Sequence, residues 1–159
     1  MSREKLREEL SHFLKWIVVI VGIGNELRSD DGVGPALVAR LKEKINAACI
    51  DVGLSPENYI GTIVKHKPDA LLFIDAVDMD GPPATVKLIH ADQIPEYGFS
   101  THNMSPKLMI ENIRGRTHAA IMMIGVQPRT IEFGEGISRE VGAAMAMIEE
   151  VLVEVVGKK

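Results

Sequence analysis

Apolar residues near the start of the chain recur with helical spacing. Four of them lie at i, i+4, i+7 and i+8 and so share one face of a helix, while charged residues of both signs cover the other face. The pattern predicts an amphipathic helix within residues 2–15, and such helices usually pack their apolar face on a domain. A docking helix for a partner protein is the alternative. The four apolar residues are Leu6, Leu10, Phe13 and Leu14.

Five short apolar runs follow, and helix-starting signals separate most of them. Continuous rather than alternating apolar runs suit strands that are buried on both faces of a parallel sheet. The fourth run follows the third across the turn at 80–83, which is too short for a crossover helix, so we expect this strand to be antiparallel. The predicted strands are 16–23, 47–52, 70–77, 85–89 and 118–126, and helices are predicted to begin near Pro35, Ser55, Ser105 and Ser138.

This alternation indicates an α/β fold: a mostly parallel sheet with one antiparallel strand and helices on both faces. In such folds functional residues lie beyond the carboxyl ends of the strands. The chemistry of the chain is therefore expected in the loops that follow the strands.

Composition and charge exclude several other classes of protein. The chain has 159 residues, enough for one domain, and 18 basic against 22 acidic residues give a net charge of −4, with no basic footprint for nucleic acid. The longest apolar run, 16–24, is about half of the roughly 20 residues that a membrane-spanning helix needs, so no membrane insertion is expected. Because the single cysteine, Cys49, cannot form an internal disulfide, we expect a cytoplasmic protein.

The first strand leads into a glycine-rich loop, Gly22 to Gly34, that contains two adjacent acids. A dinucleotide-binding turn requires G-x-G-x-x-G, but Leu27 stands where the third glycine belongs, and two carboxylates would repel a pyrophosphate. Acids at this position suit a cation better. The alternative is that Asp30 or Asp31 caps the helix that follows.

Two further strand-end residues carry candidate chemistry. Asp75 interrupts an otherwise apolar strand, and burying a lone carboxylate is unfavourable unless it is paired, bound to a metal or hydrogen-bonded to backbone N–H groups. Asp78, three residues later, is interpreted as a turn or surface acid. His102 lies among small polar residues just before a predicted helix, where it could face a cleft or simply be exposed.

Asp31, Asp75 and His102 come from three separate strand-end loops of the one predicted sheet. Two carboxylates and one imidazole form a three-ligand set that leaves coordination positions open, as in catalytic rather than structural metal sites. The chain has no H-E-x-x-H zinc motif and no G-x-S-x-G nucleophile elbow, so the common metalloprotease and serine hydrolase classes are not indicated.

At these residues the chain resembles the hydrogenase maturation endopeptidases, most of all the hydrogenase-3 type. Residues 22–34 match the family signature G-x-G-N-x-L-x-x-D-[DE]-x-x-G, and the D-A-x-D, T-H-N-M and G-[VI]-[QE]-P motifs follow in order at 75–78, 101–104 and 125–128. The resemblance covers about residues 16–156. It implies a three-layer α/β/α domain with a twisted five-stranded sheet. We expect residues 1–15 to form an N-terminal helical extension and 16–159 the protease domain.

The resemblance also implies a function. The family removes the C-terminal extension of the large-subunit precursor of nickel–iron hydrogenases, and its nickel-contacting residues correspond to Asp31, Asp75 and His102 here. The nickel is expected to arrive in the precursor rather than to be a permanently bound cofactor, and the protein is expected to be a monomer. Two alternatives use the same residues: a non-catalytic nickel-sensing chaperone of the precursor, and a stand-alone metallohydrolase.

Overall fold

The computed structural model describes residues 1–94 and 105–158. This part of the chain forms one five-stranded sheet and five α-helices. None of these helices is long and apolar enough to cross a membrane. The strands are β1 (Val18–Ile23), β2 (Ala48–Gly53), β3 (Ala70–Ala76), β4 (Val86–His90) and β5 (Ala120–Val126), and the helices are α1 (Arg3–Phe13), α2 (Val33–Leu41), α3 (Ile60–Lys65), α4 (Pro106–Arg114) and α5 (Arg139–Val156).

The sheet has the order β2-β1-β3-β5-β4, with β4 antiparallel to β5 and every other pair parallel. The expected α/β fold with a single antiparallel strand is therefore confirmed. All residues of β1 and β3 are buried, which explains why these strands are apolar except for Asp75 in β3. From β1 the chain first moves outward to β2 and then returns to β3 on the other side. The carboxyl ends of β1 and β3 thus form the switch point at which open α/β sheets bind ligands.

Helices cover both faces of the sheet and give two apolar cores. One core lies between the sheet and α1, α2 and α5, and the other lies between the sheet and α3 and α4. Leu6 and Leu10 of α1 are fully buried, and α1 packs against α5. The apolar face of this helix is thus used within the fold, as the packing interpretation predicts. The boundary between an extension at 1–15 and a domain at 16–159 stays a prediction.

Three local expectations need correction. The first strand begins at Val18 rather than Trp16, because Trp16 has a left-handed backbone (φ 62°) and is 85% exposed. Helix α2 begins two residues before Pro35, at Val33. The segment after Ser55 opens with a 3₁₀ turn, Pro56–Tyr59, and the Ser55 side chain forms no capping hydrogen bond. Ser105 and Ser138 do cap α4 and α5, through bonds from the N–H groups of Leu108 and Val141.

Candidate active site

The glycine-rich loop lies directly across the carboxyl ends of β1 and β3. A Cβ at Gly34 would lie 2.5 Å from the carbonyl oxygen of Ile23 and would also collide with that of Ile74, the residue before Asp75. Gly24 adopts φ +146°, and a Cβ there would overlap the carbonyl oxygen of Asp31. Only glycine permits these approaches. The glycines of the motif therefore bring the acidic part of the loop down onto the end of β3.

Asp31 is fully buried in the 3₁₀ turn Ser29–Gly32, which contacts β3. Its Oδ2 accepts a hydrogen bond of 2.9 Å from the backbone N–H of Asn25. The side-chain Oδ1 of Asn25 in turn accepts the N–H of Leu27, also at 2.9 Å. The Asn and Leu of the signature thus belong to the same small turn that holds the Asp31 carboxylate in place.

Asp30, the other acid of the pair, has a structural role. Its carboxylate accepts the backbone N–H of Ser138 at 2.7 Å and of Arg129 at 2.9 Å, the hydroxyl of Ser138 at 2.8 Å, and more weakly the N–H of Thr130 at 3.4 Å. These bonds fasten the loop after β5 and the start of α5 to the glycine-rich loop. The alternative that Asp30 or Asp31 caps α2 is wrong. Gly32 is the N-cap of that helix, and no side chain forms a capping hydrogen bond there.

Asp75 lies near the end of β3 and is 1% exposed. Among the described residues neither of its carboxylate oxygens has a hydrogen-bond partner. Only the backbone N–H of Ala76 comes near this carboxylate, without the geometry of a hydrogen bond, so backbone N–H groups within residues 1–94 and 105–158 do not satisfy it. Buried polar groups without partners are rare in folded proteins, and they concentrate where a function requires them.

Burial raises the pKa of Asp75 well above its ordinary value, and the nearby negative charge of Asp31 raises it further. The backbone N–H of Ala76 acts in the opposite direction and does not cancel this rise. The electrostatic effect of Asp31 shows that the loop after β1 and the end of β3 bring the two predicted acids together. Two carboxylates that share a dry site favour either a proton on one of them or a cation between them.

Asp78 and Gln127 form a supporting element beside the site. Gln127 is buried at the end of β5, accepts the N–H of Met79 at 2.6 Å and donates to Asp78 Oδ1 at 3.1 Å. Asp78 is an exposed turn acid, as expected, and its pKa is lowered by the N–H of Asp80 and then by the Gln127 amide. The supporting role of Gln127 was missed at the sequence level. Its signals were a polar residue at the end of an apolar run and its place in the G-[VI]-[QE]-P motif at 125–128.

His102 and the T-H-N-M stretch around it lie outside the described residues. The structure therefore places two of the three predicted site residues together and leaves the third as a prediction. Within residues 1–94 and 105–158, no three His, Cys, Asp or Glu side chains come together as a metal-binding cluster. Asp31 and Asp75 can exchange protons or supply some of the ligands of a cation. A cation held there needs further ligands.

Comparisons with known proteins agree with this architecture. The sequence profile of a family described as hydrogenase maturation protease matches residues 33–155. The hydrogenase 3 maturation protease of Escherichia coli K12 is 34% identical over 118 residues, which cover 72% of this chain and 75% of that protein. A Methanocaldococcus jannaschii relative, named for the same maturation activity, is 34% identical over 164 residues that cover 97% of this chain and 95% of its own.

Solved structures give the same result for the fold. The crystal structure of a nickel–iron hydrogenase maturation protease from Thermococcus kodakarensis superposes with a TM-score of 0.84 at 28% identity, covering 96% of this chain and 98% of that one. The solution structure of an Escherichia coli endopeptidase superposes with a TM-score of 0.74 at 27% identity, covering 85% and 88%. The strand order and the helices on both faces are thus shared with proteases that act in hydrogenase maturation.

Proposed function

This chain belongs to the hydrogenase maturation protease family, and from that premise we propose that it removes the C-terminal extension of a nickel–iron hydrogenase large-subunit precursor in the cytoplasm. The precursor is cleaved after nickel has been inserted, so the nickel is part of the substrate. Asp31, Asp75 and His102 contact the open coordination positions of that nickel. The protein is thus an endopeptidase that reads the metal in its substrate before it cuts.

The observation that carries this proposal is the state of Asp75. Both of its oxygens are buried without a hydrogen-bond partner among the described residues, and a second buried carboxylate, Asp31, lies close enough to raise its pKa. Such a pair is unfavourable by itself, and an incoming cation relieves the unfavourable electrostatics. A nickel ion presented by the precursor supplies this cation. Precursor without nickel lacks the attraction, so its scissile bond is not positioned.

The chemistry proposed for the site is peptide hydrolysis. Nickel in the substrate polarises the scissile carbonyl, water adds to the carbonyl carbon, and the C–N bond breaks as the amine leaves. A carboxylate accepts the proton of the water and returns it to the leaving amine. Asp31 Oδ2 already accepts the N–H of Asn25, whereas Asp75 has a raised pKa and no such bond. These two features favour Asp75 as the proton acceptor.

Intact-mass spectrometry of a hydrogenase large-subunit precursor, incubated with this protein in nickel-loaded and metal-free form, tests the proposal. We expect the nickel-loaded precursor alone to lose a short C-terminal peptide. Asp31→Asn and His102→Ala should abolish that loss. Asp80→Asn and His118→Ala, which change an exposed acid and an exposed histidine elsewhere, should retain it.

Two other outcomes would replace the proposal. If neither form is shortened and the protein binds the nickel-loaded precursor more tightly than the metal-free one, it acts as a nickel-sensing chaperone and another protein cuts. If the purified protein retains a metal tightly and hydrolyses small amides without any precursor, it is a stand-alone metallohydrolase. Normal cleavage by His102→Ala removes that residue from the mechanism and leaves the role of the carboxylates to be tested separately.

A further inference from the structure

Three large apolar side chains are exposed next to the glycine-rich loop. Leu27 is 70% exposed, Phe133 is 70% exposed and Ile131 is 36% exposed. Leu27 belongs to the loop after β1, and the other two belong to the loop that joins β5 to α5. We call Leu27, Ile131 and Phe133 the apolar patch. Apolar surface that a protein keeps exposed beside its active site is a candidate for binding another molecule.

Hydrogen bonds between the two loops hold the apolar patch in place. The N–H of Gly134 donates to the carbonyl oxygen of Leu27 at 3.1 Å, and the Arg28 Nε donates to the carbonyl oxygen of Ile131, also at 3.1 Å. The Arg28 guanidinium lies 5.1 Å from the centre of the Phe133 ring, a cation–π contact. The patch is therefore a prearranged surface, which lowers the entropic cost of binding.

The same loops connect the patch to the catalytic carboxylates. The Asn25 side chain bonds to the N–H of Leu27, and the Asn25 N–H bonds to Asp31. On the other loop, the N–H of Arg129 bonds to Asp30, next to Asp31. Three residues lie between Leu27 and Asp31, so their Cα atoms are at most about 14 Å apart. An extended peptide covers that distance in at most about four residues.

Beside the patch is an open groove of about 410 Å³. A Cβ added at Gly134 or Gly136 would meet no atom within 4 Å, so no side chain fills the space above these two residues. Two glutamates line the groove, and their negative charges disfavour the binding of an acidic peptide. The lining residues are Glu26, Leu27, Phe133, Gly134, Glu135 and Gly136.

We propose that the apolar patch binds one large apolar side chain of the precursor polypeptide, in an extended segment within about four residues of the bond that is cut. This inference rests on the proposed function and adds a recognition element to it. A second copy of this chain fits the patch less well. Even three side chains the size of phenylalanine bury about 450–750 Å², below the roughly 800 Å² per partner of a stable interface.

The test is the double variant Leu27→Ser/Phe133→Ser, compared with wild type and with Trp16→Ser. Both replaced side chains of the double variant are mostly exposed, so its thermal unfolding midpoint should stay close to that of wild type. Trp16 is the matched control, because it is 85% exposed but lies before β1, at the opposite end of the strand from the site. The measurements are KM and kcat on nickel-loaded precursor, and Kd for metal-free precursor by biolayer interferometry.

We expect the double variant to raise KM and Kd about tenfold while kcat stays within about twofold, since one buried apolar anchor contributes on the order of 1–2 kcal/mol. Trp16→Ser should change none of these values. Unchanged KM and Kd in the double variant, or an equal loss in Trp16→Ser, would overturn the inference. If wild type binds but does not cut, the proposed function fails while the Kd comparison still decides whether the patch binds the precursor.

Discussion

Two buried aspartates at the same edge of the sheet have opposite surroundings. Asp30 accepts four hydrogen bonds, three from backbone N–H groups and one from a hydroxyl. Asp75 accepts none from the described residues, and the charge of Asp31 opposes its ionisation. Both side chains are almost completely buried, so burial alone does not separate them. Their hydrogen bonds do separate them: the carboxylate of Asp30 is held by the fold, whereas that of Asp75 has no hydrogen-bond partner among the described residues.

The anchored state of Asp30 also explains why the signature contains two adjacent acids, Asp30 and Asp31. The first fastens the loop after β5 and the start of α5, which fixes the position of the second. Asp31 can then lie beside Asp75 despite the repulsion between them, because the loop that carries it is anchored elsewhere. Active sites commonly retain such unfavourable groups at the expense of stability.

The largest expected effect is on activity. Asp75→Asn should reduce cleavage of nickel-loaded precursor by about 10³-fold or more, since general acid–base catalysis and metal contact are both lost. The variant should remain folded, because the replacement has nearly the same shape and removes a buried charge. Cleavage is followed by intact-mass spectrometry, and folding by circular dichroism. A cleavage rate within about tenfold of wild type would show that Asp75 is a structural residue like Asp30.

Asp30→Ala should have its main effect on stability instead. Removing the carboxylate takes the acceptor from three part-buried donors, the N–H and hydroxyl of Ser138 and the N–H of Arg129, at about 1 kcal/mol for each donor. We expect the free energy of unfolding in urea to fall by about 3 kcal/mol. Ser138→Ala is the graded control. It removes the α5 cap and one of the four bonds, and should cost about 1–2 kcal/mol. An unchanged urea midpoint for Asp30→Ala would mean that the four-bond anchor contributes no stability.

The pH dependence of stability should show the cost of keeping Asp75 unpaired. An aspartate in the unfolded chain titrates near 3.9, and the pKa of Asp75 in the folded protein is higher. Below pH 3.9 both states are protonated and Asp75 costs nothing. Between the two pKa values Asp75 ionises only in the unfolded protein, which lowers the free energy of unfolding. Above the folded pKa this decrease is complete. Wild type should therefore be less stable than Asp75→Asn at pH 7.

Urea unfolding of both proteins at pH 4 and pH 7 measures this difference. The advantage of the variant should be smaller at pH 4 than at pH 7. An advantage that grows on acidification would mean that Asp75 is stabilised as a carboxylate, and the contrast with Asp30 would fail.

The fold could be predicted because its signals are local. Apolar runs, the Ser-Pro and Ser helix starts and the short turn before β4 identify the elements, and the rule for open α/β sheets identifies the edge that carries the site. Asp31 and Asp75 were predicted as site residues for the same reason: each follows or interrupts an apolar strand. Asp31 lies near enough to raise the pKa of Asp75, and the role of both acids as site residues stays a prediction.

The remaining details depend on long-range contacts that no local pattern contains. The four bonds of Asp30 come from residues about a hundred positions further along the chain. Nothing in the adjacent pair Asp30 and Asp31 indicates which acid is the anchor. The role of Gln127 is set by its neighbours in space in the same way. The place of His102 stays a prediction, since it lies outside the described residues.

The smallest expected effect is that of Asp78, whose carboxylate should change stability in the opposite direction to that of Asp75. The N–H of Asp80 and the amide of Gln127 lower the pKa of the exposed Asp78. Its carboxylate therefore stabilises the fold above the unfolded pKa, and this contribution is lost as the pH falls through the lower, folded value. Asp78→Asn should slightly lower the thermal unfolding midpoint at pH 7 and not at pH 2, whereas Asp75→Asn should raise it at pH 7. Equal signs for the two variants at pH 7 would mean that hydrogen bonding does not decide which acids stabilise this edge of the sheet.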